Sequence, residues 1–181
     1  MLYLDFIQIP VLLTERLILR PLRVDDAAEI HLLRSNESVN KYIDREASTC
    51  IEDAESHIRM IESLIKEKKS VTWAITLKES TTLIGTICFW NFNSMSEIVE
   101  IGYEMLPASQ GKGLMIEAAK MVIQFGFEQM NVQSITAFSS TQNLKSVALL
   151  EKLNFSDAHT YSVLQNLHEN LTDTATYILN R

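Results

Sequence analysis

The chain has 181 residues, of which 46% are hydrophobic and 22% charged, and this composition predicts one globular domain with a sizeable core. Its 16 Lys and Arg residues are outnumbered by 23 Asp and Glu, which gives a net charge of −7. Attraction to a phosphate backbone is therefore weak, so we expect no nucleic-acid partner, and cationic substrates are favoured.

The first 13 residues are apolar and could be mistaken for a signal peptide. They carry Asp5 and Pro10, and they lack a basic start and a small-residue cleavage site. We therefore predict that residues 1–13 form a terminal arm packed on a single domain, residues 1–181. A cytoplasmic protein without membrane contact is expected.

The next part of the chain is predicted to form one strand and two helices. Apolar and basic residues alternate over residues 16–20, which indicates a strand. Asp26 with Glu29 is typical of a capping box at a helix start, and Thr49 with Glu52 repeats the signal. Apolar residues at helical spacing follow each of the two starts.

The middle of the chain changes to β-branched and aromatic runs at residues 71–77, 83–92 and 98–106. Polar segments separate these runs, so they are predicted to be three consecutive antiparallel strands. Residues 111–131 then show the apolar spacing of a helix, and residues 134–140 read as another strand.

The last part of the chain is predicted to contain a helix capped by Asn143 and two strands, at residues 159–164 and 174–179. The complete order is β α α β β β α β α β β. It predicts an α/β (α+β) fold, with a mixed, mostly antiparallel sheet of about seven strands, helices on both faces and one parallel crossover around the helix at 111–131.

The segment Gln110-Gly111-Lys112-Gly113 places two of the chain's 5 glycines at the start of that helix. A helix N-terminus presents unpaired backbone N–H groups and a positive dipole end, and both suit a pyrophosphate. A Walker loop would need Ser or Thr after the lysine, and a dinucleotide fingerprint would need glycine where Ile116 stands. A turn whose glycines only relieve backbone strain stays open as an alternative.

No cysteine or histidine has the spacing of a metal site. Cys50 and Cys88 are far apart and belong to no C-x-x-C motif, and the histidines show no ligand pattern either. We therefore expect no metal.

Three blocks of the sequence resemble the GNAT superfamily of N-acetyltransferases, in particular the branch that acetylates ribosomal-protein N-termini. They are TERLILRPLRVDDA at 14–27, EIGYEMLPASQGKG at 100–113 and NLKSVALLEKLNF at 143–155. The coenzyme A loop of the superfamily, Q/R-x-x-G-x-G/A, stands here as residues 110–115. Met115 departs from its final small residue.

The resemblance implies an enzyme that moves an acetyl group from acetyl-coenzyme A, its co-substrate, to a primary amine within a ternary complex and without a metal. The amine would belong to a ribosomal-protein N-terminus, a polyamine or another small molecule, and the protein would be a monomer or homodimer. The implied coenzyme A-binding residues are Met105, Leu106, Gln110, Gly111, Lys112, Gly113, Leu114, Met115, Asn143 and Ser146.

Amine acylation needs a base for the ammonium proton and a proton donor for the leaving thiolate. Glu100 occupies the acidic place in the E-I-G-Y string and is the candidate base, whereas Glu104 on the same strand face could line the acceptor pocket. His159 and His168 stay open as bases.

For the leaving sulfur, many relatives have a tyrosine at the position of Leu150 in this chain. Ser146, one helical turn earlier, is the candidate acid. Asn143 would hold a pantetheine amide, serve as a plain helix N-cap, or do both.

Two rival functions remain at this stage. One is a non-catalytic acetyl-coenzyme A sensor, which the missing tyrosine and Met115 keep open. The other is a nucleotide-dependent transferase.

Overall fold

The computed structural model describes residues 1–4, 8–158 and 173–181, whose strands form one eight-stranded sheet. The strands are β1 (Leu12–Leu13), β2 (Leu17–Pro21), β3 (Ser70–Leu77), β4 (Leu83–Asn93), β5 (Ile98–Met105), β6 (Ser134–Ser140), β7 (Ser156–Asp157) and β8 (Thr174–Asn180). The α-helices are α1 (Ala27–Ser35), α2 (Glu37–Asn40), α3 (Ile51–Lys66), α4 (Leu114–Glu128) and α5 (Leu144–Lys152).

The sheet order is β1-β2-β3-β4-β5-β6-β8-β7, and every neighbouring pair is antiparallel except β5 and β6. The predicted mixed, mostly antiparallel sheet is thus confirmed, as is its single parallel crossover through α4. The short strands β1 and β7 were not predicted. The strand predicted at residues 159–164 lies outside the described residues.

Helices cover both faces of the sheet, as predicted. On one face, Trp73 of β3 packs edge-on against Phe125 of α4, with ring centroids 5.4 Å apart. On the other face, Ala74 belongs to a buried cluster that includes Ile30 of α1 and Ile58 of α3. Adjacent residues of one strand therefore supply two apolar layers, because successive side chains of a strand point to opposite faces.

The predicted capping box of Asp26 with Glu29 is wrong, although Asp26 does hold the N-cap position of α1. Its carboxylate makes no cap bond to α1 and instead accepts from both terminal nitrogens of Arg20, at 2.6 and 2.8 Å, and from the Arg23 N–H at 2.8 Å. Arg20 is buried, and a buried cation requires a paired and hydrogen-bonded counter-charge. The tertiary ion pair therefore takes precedence over the local cap.

The second predicted start signal, Thr49 with Glu52, is displaced by one residue. Cys50 is the N-cap of α3, and the Asp53 carboxylate reaches back to the N–H groups of Thr49, at 2.8 Å, and Cys50, at 3.3 Å. The Thr49 hydroxyl donates to the same carboxylate at 2.8 Å. Together these hydrogen bonds lower the pKa of Asp53 to about 2.

The described residues of the N-terminal arm, 1–4 and 8–13, contact the rest of the chain. The Tyr3 N–H donates to the Met130 carbonyl at 2.9 Å, Leu2 and Ile9 are buried, and the Pro10 carbonyl accepts from the Trp73 indole at 2.9 Å. Within the described part of the chain, none of the helices has the length and apolar character needed to cross a membrane.

The Arg20–Asp26 pair gives a test of the fold. We expect Asp26→Ala to lower the free energy of unfolding by about 3–5 kcal/mol, because it leaves a buried guanidinium without its counter-charge. Urea denaturation followed by circular dichroism measures the loss. The neighbouring Asp25 is exposed, so Asp25→Ala is the matched control and should stay within about 0.5 kcal/mol of the parent. Equal effects of the two substitutions would contradict the assignment.

Candidate functional site

Strands β5 and β6 pair over three residues only and then separate. Ile98–Glu100 lie opposite Ser134–Thr136, and no pairing between the two strands follows, although β5 continues to Met105 and β6 to Ser140. The gap between the strands is called the wedge below. It opens beside the segment that leads into α4.

The backbone of β5 offers hydrogen-bonding groups to the wedge. The Leu106 N–H donates to the Ile84 carbonyl at 2.9 Å. By strand alternation, the backbone N–H and C=O groups of the even-numbered residues of β5 bond to β4, and those of the odd-numbered residues point towards β6. Two contacts agree with this parity. The Val99 carbonyl accepts from the Thr136 hydroxyl at 3.3 Å, and the Met105 carbonyl accepts from the Gln110 side chain at 2.9 Å.

Leu106 uses both of its backbone groups within the protein. Its N–H bonds to Ile84, and its carbonyl accepts from the Ser109 N–H at 2.9 Å. The Leu106 N–H is thus bonded to β4, whereas the Met105 N–H faces the wedge, and the pairing of these two residues with a ligand stays a prediction.

The loop before α4 adopts a conformation that favours glycine. Gly111 and Gly113 have φ angles of 75° and 74°, in the left-handed region, and both are exposed. A Cβ atom at Gly111 would meet no atom within 4 Å, whereas one at Gly113 would lie 3.5 Å from a terminal nitrogen of Arg16. The space outside Gly111 is open, so a ligand can approach the backbone there.

The amides of this loop are available to a ligand. The first intrahelical bond of α4 runs from the Glu117 N–H to the Gly113 carbonyl, at 3.2 Å. Among the described residues, the backbone N–H groups of residues 111–116 have no acceptor in hydrogen-bonding geometry. These amides and the positive end of the α4 dipole form a site suited to an anion.

A clasp formed by Thr14 and Arg16, just before β2, holds the loop in place. The Arg16 guanidinium donates to the Lys112 carbonyl at 3.0 Å and pairs with the Glu117 carboxylate at 2.7 Å. The Arg16 N–H and the Thr14 hydroxyl also donate to Glu117, at 2.8 and 2.5 Å. Thr14 and Arg16 were not predicted as site residues, since only the fold brings them to the loop.

Gln110 joins the loop to two other elements. Its side-chain nitrogen donates to Met105 of β5, and its side-chain oxygen accepts from Lys145 of α5 at 3.1 Å. The predicted loop residues thus lie together at the mouth of the wedge, with Lys112 and Lys145 adding positive charge.

Ser146 and Asn143 lie on the first turn of α5, beside the wedge. The Asn143 side-chain oxygen accepts from the Ser146 N–H at 3.3 Å, so Asn143 is an N-cap as predicted. The Ser146 hydroxyl lies 2.8 Å from the Tyr103 hydroxyl of β5. Burial raises the pKa of Tyr103 to about 12, which keeps that hydroxyl protonated at neutral pH.

Tyr103 was not among the predicted site residues. Strand alternation had placed it opposite Glu100, but nothing in the sequence shows that its hydroxyl reaches α5. The Leu150 side chain of α5 is fully buried in the core and carries no hydroxyl.

Glu100 is buried on the opposite face of β5, with 4% of its surface exposed. Burial raises the pKa of its carboxyl to about 7, and a hydrogen bond from the Asn91 side chain, at 3.1 Å, opposes the shift. Asn91 lies where the β4–β5 register shifts and has a φ of 51°, so this partner could not be predicted from strand alternation. A carboxyl with this pKa can take up a proton near neutral pH.

Glu104 shares the face of Glu100 but is already paired. Its carboxylate lies 2.7 Å from a terminal nitrogen of Arg45, and both side chains are largely buried. The Arg45 Nε donates to the Asn40 side chain at 2.8 Å. Because the Glu104 carboxylate is engaged by Arg45, Glu100 is the better candidate base of the two.

The other titratable candidates are limited. His159 and His168 lie outside the described residues. Within residues 1–4, 8–158 and 173–181, no three His, Cys, Asp or Glu side chains are grouped closely enough to hold a metal ion.

Comparisons with known proteins agree on one family. The model described as "Acetyltransferase (GNAT) domain" matches residues 16–156. The uncharacterized N-acetyltransferase YoaA of Bacillus subtilis is 36% identical over 146 residues, which cover 81% of this chain and 82% of YoaA. The spermidine N(1)-acetyltransferase of Escherichia coli is 25% identical over 138 residues, 76% of this chain and 72% of that protein.

A solved structure shows the same fold. RimL, a ribosomal α-N-protein acetyltransferase in complex with coenzyme A, superposes with a TM-score of 0.81 at 16% identity. The match covers 94% of this chain and 98% of RimL.

The raised pKa of Glu100 predicts a stability effect that depends on pH. Between its ordinary pKa and about 7, the folded protein holds a proton that the unfolded chain has lost, so rising pH lowers stability through this window. Glu100→Gln removes the ionisation. We expect the free energy of unfolding of the variant to exceed that of the parent by roughly 2–3 kcal/mol at pH 8, and this difference to shrink towards pH 4.

Urea denaturation at pH 4, 6 and 8 measures this difference. The exposed Glu46 supplies the matched control, since Glu46→Gln should show no such trend. A Glu100→Gln effect that is the same at all three pH values would contradict the prediction.

Proposed function

The chain belongs to the GNAT acetyltransferase family, and on that premise we propose that it transfers the acetyl group of acetyl-coenzyme A directly to a primary amine within a ternary complex. The observation that carries the proposal is the row of unpaired amides at residues 111–116 beside the wedge. The spermidine N(1)-acetyltransferase and RimL are named for acceptors that carry amines, so the proposed acceptor is a small amine or a protein N-terminus.

The residues at the wedge fit the chemistry of acetyl-coenzyme A. The loop amides and Lys112 would hold its diphosphate, and the Met105 N–H would bond to an amide of its pantetheine arm. Asn143 and Ser146 lie on the α5 side of the wedge and would contact the same arm. The co-substrate supplies a thioester carbonyl, which a fixed N–H of β5 facing the wedge would polarise.

The two faces of β5 divide the proton transfers between them. Glu100 lies on the α1 and α3 face and would accept the proton of the incoming ammonium, directly or through water. Ser146 lies on the opposite face and would donate a hydrogen bond to the departing thiolate, and the second proton lost by the acylated amine would complete the thiol. The amine would then approach on one side of the strand, and the thiol would leave on the other.

Binding of the donor is the first test. We expect coenzyme A at 100 times its dissociation constant to add about 2.7 kcal/mol of stability, while ATP and NAD add none. Gly111→Ala should abolish most of this gain, because its Cβ occupies the space where a diphosphate would approach the amides. Differential scanning fluorimetry measures both effects.

The control for Gly111→Ala matches its backbone strain. Asn131 at the far end of α4 also has a positive φ, of 56°, and Asn131→Ala should lower the melting temperature but leave the coenzyme A shift intact. A coenzyme A shift that survives Gly111→Ala would overturn the proposed donor site.

Turnover is the second test, and it separates an enzyme from an acetyl-coenzyme A sensor. Thiol release should accompany acetylation of peptides or amines. Glu100→Gln should lower kcat by about 10²–10⁴ and remove the rise of kcat/KM with pH towards an apparent pKa near 7. Ser146→Ala should lower kcat but keep this rise.

Steady-state assays from pH 5.5 to 9 with a thiol reagent measure these parameters. Coenzyme A binding without thiol release, across peptides, polyamines and amino sugars, would support the sensor instead. The buried Leu150 is the observation that favours this alternative, since the hydroxyl of many relatives is missing there.

A further inference from the structure

Five polar side chains meet above the face of β5 that carries Glu100. They are Arg34 of α1, Asn40 of α2, Arg45, His57 of α3 and Glu104 of β5, and they are called the arginine cluster here. Glu100 and Glu104 are four residues apart on one strand. The cluster therefore lies about 13 Å along the strand from the proposed base. Gly102 lies between them, and Cys88 and Trp90 of β4 lie over it, with the sulfur and the indole nitrogen 3.2 and 3.6 Å from where a Cβ atom would stand.

The cluster contains more positive than negative charge. Glu104 neutralises Arg45, at 2.7 Å. Arg34 lies 3.4 Å from the His57 Nε2, and among the described residues no carboxylate lies within ion-pair distance of it. Burial lowers the pKa of His57 to about 4, and both arginines add to the shift, so His57 is neutral at physiological pH.

Arg34 is therefore a half-buried cation without a counter-charge. Its pKa is lowered first by burial and then by the nearby Arg45, and Glu104 offsets this only in part. A desolvated cation is costly unless it is paired, and a guanidinium binds a carboxylate with two parallel hydrogen bonds. A carboxylate from a ligand would supply the missing partner.

The rest of the cluster is already fixed in position. Arg45 is held by Asn40 at 2.8 Å and by Glu104, and Ser48 ties the same segment to α1 through its N–H, which donates to the Arg34 carbonyl at 3.2 Å. A rigid positive site costs little to organise when a ligand binds.

We propose that the acceptor is a peptide amino terminus with an acidic side chain close to its amine, and that Arg34 binds this carboxylate. The inference rests on the proposed acetyl transfer and names the class of acceptor for it. The distance of about 13 Å along β5 allows the carboxylate to belong to one of the first residues of an extended peptide. Polyamines carry the opposite charge and would be repelled.

The test compares acceptors that differ in one side chain. Peptides beginning Ser-Glu-Ala, Ser-Gln-Ala and Ser-Lys-Ala, together with free glutamate and spermidine, are assayed with acetyl-coenzyme A. We expect kcat/KM for the Glu peptide to exceed that for the Gln peptide at least tenfold, with the Lys peptide and spermidine lowest. A kcat/KM for free glutamate above that for the Glu peptide would overturn the assignment of the acceptor as a peptide.

Variants assign the preference to Arg34. Arg34→Gln should reduce kcat/KM for the Glu peptide to the level of that for the Gln peptide, and Arg34→Lys should keep part of the preference. Arg59→Gln on the exposed surface of α3 is the matched control and should keep all of it. Equal melting temperatures establish that the variants are folded.

The outcomes separate the two proposals. Transfer to the Lys peptide or spermidine in preference to the Glu peptide, or a preference that survives Arg34→Gln, overturns the acidic acceptor and leaves the acetyl transfer standing. Thiol release with none of the acceptors overturns both.

Discussion

The separation of β5 from β6 after three paired residues is the constraint on which the rest of this site depends. A parallel pair that continued to Met105 would use every backbone group of β5, and no ligand could reach the strand. Because β6 is paired with β8 along its whole length, it keeps its direction while β5 stays with β4. The wedge is thus a result of the sheet topology. The loop before α4 lies at its mouth.

The two faces of β5 have different chemical surroundings, and strand alternation is the reason. On the α4 and α5 face, Tyr103 meets Ser146 in a neutral hydrogen bond. On the other face, burial leaves Glu100 with a pKa of about 7, and Glu104 is held by Arg45. Adjacent residues of one strand can therefore serve opposite ends of the proposed reaction without interfering with one another.

Periodicity and turn residues predicted the fold well, because strand alternation and helical spacing are properties of short segments. Among the described residues, the parallel crossover, the helices on both faces and the sequence of the longer elements were correct, whereas β1, α2 and β7 were not predicted. The helix starts were less accurate, since the Asp26 carboxylate is drawn to Arg20 by a buried charge that no local pattern reveals. The same limit applies to Tyr103, Arg45 and the clasp from Arg16, whose partners lie 43 to 101 residues away in sequence or on other elements.

The family resemblance supplied the loop and the wedge residues, but not the contacts that decide their roles. Leu106 looked equivalent to Met105 in sequence, and only the structure shows its N–H and carbonyl engaged by Ile84 and Ser109. In the same way, the net charge of −7 suggested cationic substrates, whereas the local charge around Arg34 is positive. Whole-chain averages do not describe a cluster of five side chains.

The clasp between Arg16 and Glu117 has a further consequence. Because Arg16, which directly precedes β2, holds the Lys112 carbonyl, folding of the sheet sets the direction of the loop amides before any ligand arrives. The conformational entropy of the loop is then lost during folding and does not weaken the affinity for an anion. Sequence changes just before β2 are therefore expected to alter the proposed anion binding at the loop through the Lys112 carbonyl and Glu117.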